Sequence, residues 1–187
     1  MRSCPTARAT DSPEGLTEPP RGVAESYAVI KAVSVTVLLS DIVEALEMQF
    51  DESSSFLDLD TLQVVTVSYK LLREAEENAG GQEPNLHDWQ EEEWQAAKRI
   101  VSTDRFLGLP TKFDVHEWAI MRDFANSVKR DSIREDLLSA IHGGGAFRHF
   151  KHRVRAHNIE SAWFAFRSEA LRQIAVDWCE EHHIRWR

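Results

Sequence analysis

The sequence predicts an α+β protein: a small N-terminal antiparallel sheet (a hairpin) with one helix, packed on a mainly helical C-terminal half. Three observations carry that prediction. Runs rich in β-branched residues occur only early, as VSVTVLL from Val33 and VVTV from Val64. From Ser68 onward apolar residues recur at helical spacing, with capping residues and glycines between the runs. No repeat period and no Pro- or Gly-rich hinge divides residues 33–187, so they read as one domain.

The elements follow in order. Pro5, Pro13, Pro19 and Pro20 stand among small and charged residues without periodicity, which predicts a disordered tail over 1–32. Residues 1–30 are therefore expected to be dispensable, as an over-extended start would be. Their deletion should leave the melting temperature within about 2 °C of the parent, and a larger drop would show that the tail packs on the domain. VSVTVLL reads as a strand. Ser40 is placed to cap a helix from Asp41 to about Met48 with Ile42, Val43 and Leu46 inward, and DESSS reads as a polar connection. FLDL and VVTV form a hairpin candidate around Asp60-Thr61-Leu62-Gln63, where glycine would suit position 62 better than leucine.

Helices follow. Ser68 is placed to cap YKLLREAEENA, which Gly80-Gly81 ends. Asp88 with Glu91 has capping-box spacing ahead of a helix with Trp94, Ala97 and Val101 inward, and LGLP reads as a stop. Asp114 with Glu117 repeats the spacing before a helix that sets Trp118, Met121 and Ala125 on one face. A helix over Asp131–Ile141 and a basic helix come next. Asn158 is then placed to cap a long final helix whose inner stripe is Trp163, Phe166, Ala170, Ile174 and Trp178, widened by Leu171. Trp163, Phe166 and Ile174 are expected to be among the most buried side chains.

The net charge of −9 is unevenly distributed. Asp41 to Gln95 holds 15 acidic residues against Lys70 and Arg73, whereas Arg148 to His157 holds four cations, three histidines and no acid. The overall sign disfavours bulk nucleic-acid binding, but a local basic patch remains compatible with RNA or an acidic partner. Cys4 and Cys179 stand at opposite ends of the chain, which argues against a disulfide framework and for a cytoplasmic location. No apolar run approaches the roughly 18 residues of a membrane span.

The segment IHGGGAFRHFKHRV, from Ile141, is the most informative one. Gly143, Gly144 and Gly145 run into a helix with Phe147, Phe150 and Val154 on one stripe and Arg148, Lys151, His152 and Arg155 on the next. A glycine turn at a helix start offers free N–H groups and a positive dipole end, so these seven glycine and basic positions form a candidate anion site. The bland alternative is a junction between helices, with Gly143 past the end of LLSAI, core phenylalanines and a solvated basic face. The segment lacks P-loop and dinucleotide-binding spacing.

Catalytic patterns are absent. His116-Glu117 starts like a zinc helix, but Ile120 stands where the second histidine belongs. His182-His183 are adjacent and so do not share a helix face. Ser53-Ser54-Ser55 has no neighbouring base, and Cys179 beside Trp178 reads as packing. No metal or cofactor is implied.

LSDIVEALEMQ, the DESSSFLDLDT–QVVTVS hairpin, LPTKFDVHEWAIMRDF, IHGGGAFRHFKHRV and WFAFRSEALRQIAVDWCEEH together resemble the bacterial uncharacterised protein family 0158, over about Val33 to Ile184. Leu62 departs from the glycine expected there, and the proline-rich segment before Val33 falls outside the pattern. The resemblance brings no catalytic residue or cofactor with it. Three function classes therefore stay open: foremost a cytosolic non-enzymatic interaction or regulatory module with a protein partner, next a weak RNA or nucleotide binder using the glycine turn, and last an unrecognised hydrolase or transferase.

Overall fold

A computed structural model describes residues 36–77 and 86–187. The expected tail, the first residues of VSVTVLL, Cys4 and the Gly80-Gly81 stop lie outside them. The described part of VSVTVLL is a single bridge, not a strand. Val37 pairs in parallel with Trp186, donating to the Arg185 carbonyl at 2.9 Å and accepting from the Arg187 N–H at 3.0 Å. Helix α1 (Leu39–Glu47) then starts before the expected Asp41. Leu39, Ile42 and Leu46 recur at i, i+3, i+7 and are all buried, so tertiary packing overrides the β propensity of the run. Ser40 is no cap; its hydroxyl bonds the Asp41 carboxylate.

The hairpin is present, as β1 (Ser53–Asp58) and β2 (Val64–Ser68). The three serines read as a connection belong to β1, where Ser55 faces Thr66 and their hydroxyls bond at 2.8 Å. LGLP also hid a strand, β3 (Phe106–Gly108), which pairs antiparallel with β1 to give the order β2-β1-β3. Val64 joins the larger core and Val67 the smaller, on opposite faces of the sheet.

Leu62 takes the left-handed conformation at φ 57°, the geometry for which glycine was expected. Its side chain packs on the main core, which offsets a backbone cost of roughly 1–2 kcal/mol. Asp58 fixes the same turn. Only 2% exposed, it accepts from the Asp60 N–H at 2.8 Å and the Thr61 N–H at 3.4 Å, and pairs with Arg99 at 2.9 Å. Burial alone would raise its pKa, but the two N–H donors and the guanidinium outweigh burial and hold it below the ordinary carboxylate value.

The smaller core lies between β2, α2 (Tyr69–Glu77) and α3 (Glu91–Ser102), around Val67, Leu71, Trp94 and Ala97. Ser68 accepts from the Leu71 N–H at a long 3.5 Å, as a cap would. Two expectations fail here. Val101 is exposed, and the His87 N–H is met by Gln90, one residue ahead of the expected Asp88–Glu91 box. Short α4 (Lys112–Val115) has its own box, Thr111 with Asp114, in place of the Asp114–Glu117 pairing expected. That box holds the Asp114 pKa down through the Thr111 hydroxyl and N–H. His116, exposed and left-handed at φ 47°, separates α4 from α5 (Glu117–Ser127).

Helices α5, α6 (Asp131–Ala140), α7 (Ala146–Ala156) and α8 (Glu160–Glu181) form the C-terminal half. Their core centres on Trp163, whose ring meets Phe124 at 5.3 Å and Phe150 at 4.9 Å, both edge-on. Trp163, Leu171, Trp178 and Cys179 are buried, whereas Phe166 and Ile174 are only partly so. Asn158 does not cap α8: it turns left-handed at φ 55°, and Ile159 precedes the helix without a side-chain cap. Burial pushes the Cys179 thiol up to about 11, with the Glu180 charge adding to it, so this cysteine serves as packing.

Candidate functional site

The glycine turn joins α6 to α7. Gly143 and Gly145 have φ of 84° and 76°, where a side chain would be strained. Ile141 ahead of them is buried and Gly145 precedes α7, so the turn is both a helix junction and an open helix start. All three glycines and Arg148, Lys151, His152 and Arg155 are exposed together on this end and outer face of α7. They are not equally available. Arg155 pairs with Glu160 at 3.6 Å, and Lys151 lies 4.7 Å from the centre of the Phe147 ring. Arg148 and His152 have no acidic partner among the described residues.

The phenylalanine stripe divides. Phe150 and Val154 are core, but Phe147 is 42% exposed, contrary to the burial read from its spacing. Trp118, placed on one face with the buried Met121 and Ala125, is half-exposed, and its indole N–H donates to the Ile141 carbonyl at 3.1 Å. Two exposed aromatic rings therefore flank the turn, each with a cation over it, since Arg122 lies 5.4 Å from the Trp118 ring.

A second cluster was not visible in the sequence. Phe50 and Phe113 are 68% and 74% exposed, and with half-exposed Tyr69 they line a cleft of about 180 Å³ beside Ser53–Ser55. Gln49 donates to the Pro110 carbonyl and Lys112 pairs with Asp51, tying the two walls together. The only sequence signal was an isolated aromatic among polar residues, Phe50 between Gln49 and Asp51 and Phe113 between Lys112 and Asp114.

A third feature is polar. An open cleft of about 200 Å³ between α6 and α7 is lined by Asp136, Ser139, Ala140, His142, His149 and Arg153. The C-terminal histidines stay apart from it: His182 Nδ1 meets the Trp178 carbonyl at 2.8 Å and its ring lies over that indole. Among the described residues no three His, Cys, Asp or Glu side chains converge as metal ligands, and no helix is long and apolar enough to cross a membrane.

No solved structure matches the chain. A UPF0158 protein of Pseudomonas aeruginosa is 25% identical over 83 residues, 44% of this chain and 54% of the relative, so the match spans about half the relative's length. The model of the Uncharacterised protein family (UPF0158) matches residues 34–187, which takes in every element described above from α1 to α8. The chain belongs to that family.

Proposed function

We propose that the protein is a cytoplasmic, non-enzymatic interaction module whose contact surface is the Phe50–Tyr69–Phe113 cleft, and whose partner is a basic segment of another protein carrying an apolar side chain. The exposure of Phe50 and Phe113 side by side supports this reading most. Aromatic side chains dominate binding energy where proteins meet, and two large rings left in water are otherwise costly. Charge supports the basic partner. One wall of the cleft, from Gln49 to Tyr69, belongs to the acidic stretch; Lys112 of the other wall pairs with Asp51, and Glu52 beside it supplies the negative charge.

A second reading rests on the exposure of Phe147. An accessible ring beside Lys151, Arg148 and the glycine turn matches the stacking-plus-cation pattern of single-stranded RNA binders. One experiment separates the two. The tagged full chain, Phe50→Ser/Phe113→Ser and Arg148→Glu/Lys151→Glu are each used to capture partners from native cell extract, with and without nuclease. The first reading expects nuclease-resistant protein partners that the Phe50/Phe113 variant loses. Nuclease-sensitive capture, lost with the Arg148/Lys151 variant, supports the second reading. Identical capture by all three proteins refutes both.

A further inference from the structure

The α6–α7 cleft combines donors that nothing in the fold uses up. Its carboxylate is already engaged, since Asp136 meets His157 Nε2 at 2.8 Å and Arg153 Nε at 3.5 Å. Arg153 Nε makes the nearest approach to that carboxylate, and the two terminal nitrogens of its planar fork make no hydrogen bond among the described residues. His142, His149 and the Ser139 hydroxyl have no side-chain hydrogen-bond or ion-pair partner among the described residues, although they line one cavity.

Position brings these groups together. His149, Arg153 and His157 are spaced by four, so they share one face of α7, the face that meets Asp136 of α6 and lies beside the Arg148–Lys151 stripe. The His149 ring rests against Gly145, where an added Cβ would come within 3.4 Å of it. The glycine turn thus seats this ring at the mouth of the cleft, and the start of α7 adds a positive dipole end. At roughly 30 Å³ per water the cleft holds several waters, enough space for a tetrahedral anion.

We propose that this cleft binds a phosphate group, gripped by the free fork of Arg153, the His142 and His149 imidazoles and the Ser139 hydroxyl. Arginine with neighbouring imidazoles favours phosphate because planar paired donors match its oxygens. The phosphate belongs either to a small metabolite or to a nucleic-acid backbone; the chemistry of recognition is the same. The site stands apart from both readings above, which use the aromatic cleft and the outer face of α7.

The test is an NMR titration of the full chain with inorganic phosphate and, separately, with a short single-stranded RNA. Saturable shifts are expected at the His142 and His149 ring protons and the Ser139 amide. Arg153→Gln should weaken phosphate binding by about tenfold or more, whereas the neutral pair Arg148→Gln/Lys151→Gln, which adds no negative charge beside the cleft, should weaken it clearly less. Both Arg153 and His149 face solvent, so His149→Ala gives an independent check in a protein whose amide spectrum confirms the fold. Inorganic phosphate alone reaching the cleft assigns a small-molecule ligand, and tighter binding of RNA at the same signals assigns a backbone phosphate. Unchanged affinity in both Arg153→Gln and His149→Ala would overturn the proposal. So would shifts confined to Arg148, Lys151 and the glycine amides, which would leave the RNA reading standing.

Discussion

Replacing Trp163 with alanine is expected to cost about 3–5 kcal/mol of folding stability, the largest single-residue effect in the molecule. Trp163 is 1% exposed and is the ring against which Phe124 and Phe150 both pack edge-on. Its removal takes away the apolar burial and both ring contacts, and three helices then line a cavity too large for local repacking. Against a typical total of about 5–15 kcal/mol that is a large share. Phe166 is the comparator. Its ring meets one other aromatic ring among the described residues, Phe124 at 5.5 Å, and it is partly exposed, so Phe166→Ala should lose clearly less. Urea unfolding of both variants checks this, and equal losses would mean the aromatic cluster is not centred on Trp163.

The second large effect belongs to Asp58. Asp58→Ala leaves the Asp60 and Thr61 amides without their acceptor in a turn that already holds Leu62 left-handed. The expected loss is about 2–3 kcal/mol. That lies below the roughly 3–5 kcal/mol of a fully buried pair, because the Arg99 side chain is half-exposed and reaches water when abandoned. The pH dependence has a definite sign. Since the folded pKa of Asp58 is lowered, its contribution is fully present above the unfolded value of about 3.9 and is lost as pH falls from there through the folded pKa. Asp58→Asn should therefore unfold with a shallower acid dependence than the parent. A parallel acid limb in the two proteins would refute the role given to the carboxylate.

Amphipathic helices were legible because their burial repeats within one element. α1, α5, α7 and α8 all follow from apolar spacing, and the hairpin from its β-branched residues. Elements defined by distant partners were not. β3 is a three-residue strand that exists through pairing with β1, and nothing in Phe106-Leu107-Gly108 announces that partner. The start of α1 was misread because the propensity of VSVTVLL is local, whereas the burial of Leu39 is not. Caps were misplaced where two acceptors compete: Asp114 serves Thr111 before it, not a helix starting after it. Arg148, Lys151, His152 and Arg155 share α7 behind the glycine turn as their spacing implies, yet the exposure of Phe147 and the α6–α7 cleft depend on what neighbouring helices cover, which spacing does not encode.

The bridge between Val37 and residues 185–187 has a consequence for the order in which the chain acquires its structure during synthesis. The Leu39 N–H donates to the Arg187 carbonyl at 3.1 Å, beside the two Val37 bonds, so the entry to α1 is satisfied by backbone groups almost the whole chain away. A ribosome delivering residues in order leaves that entry unpaired until Arg185–Arg187 have emerged. Closing so long a loop brings an entropic cost that local helix formation avoids. The helical half can assemble around Trp163 first, and the bridge follows once Arg185–Arg187 are free to reach Val37. The contact of greatest sequence separation is thereby expected to close late, after the helices that need only near neighbours.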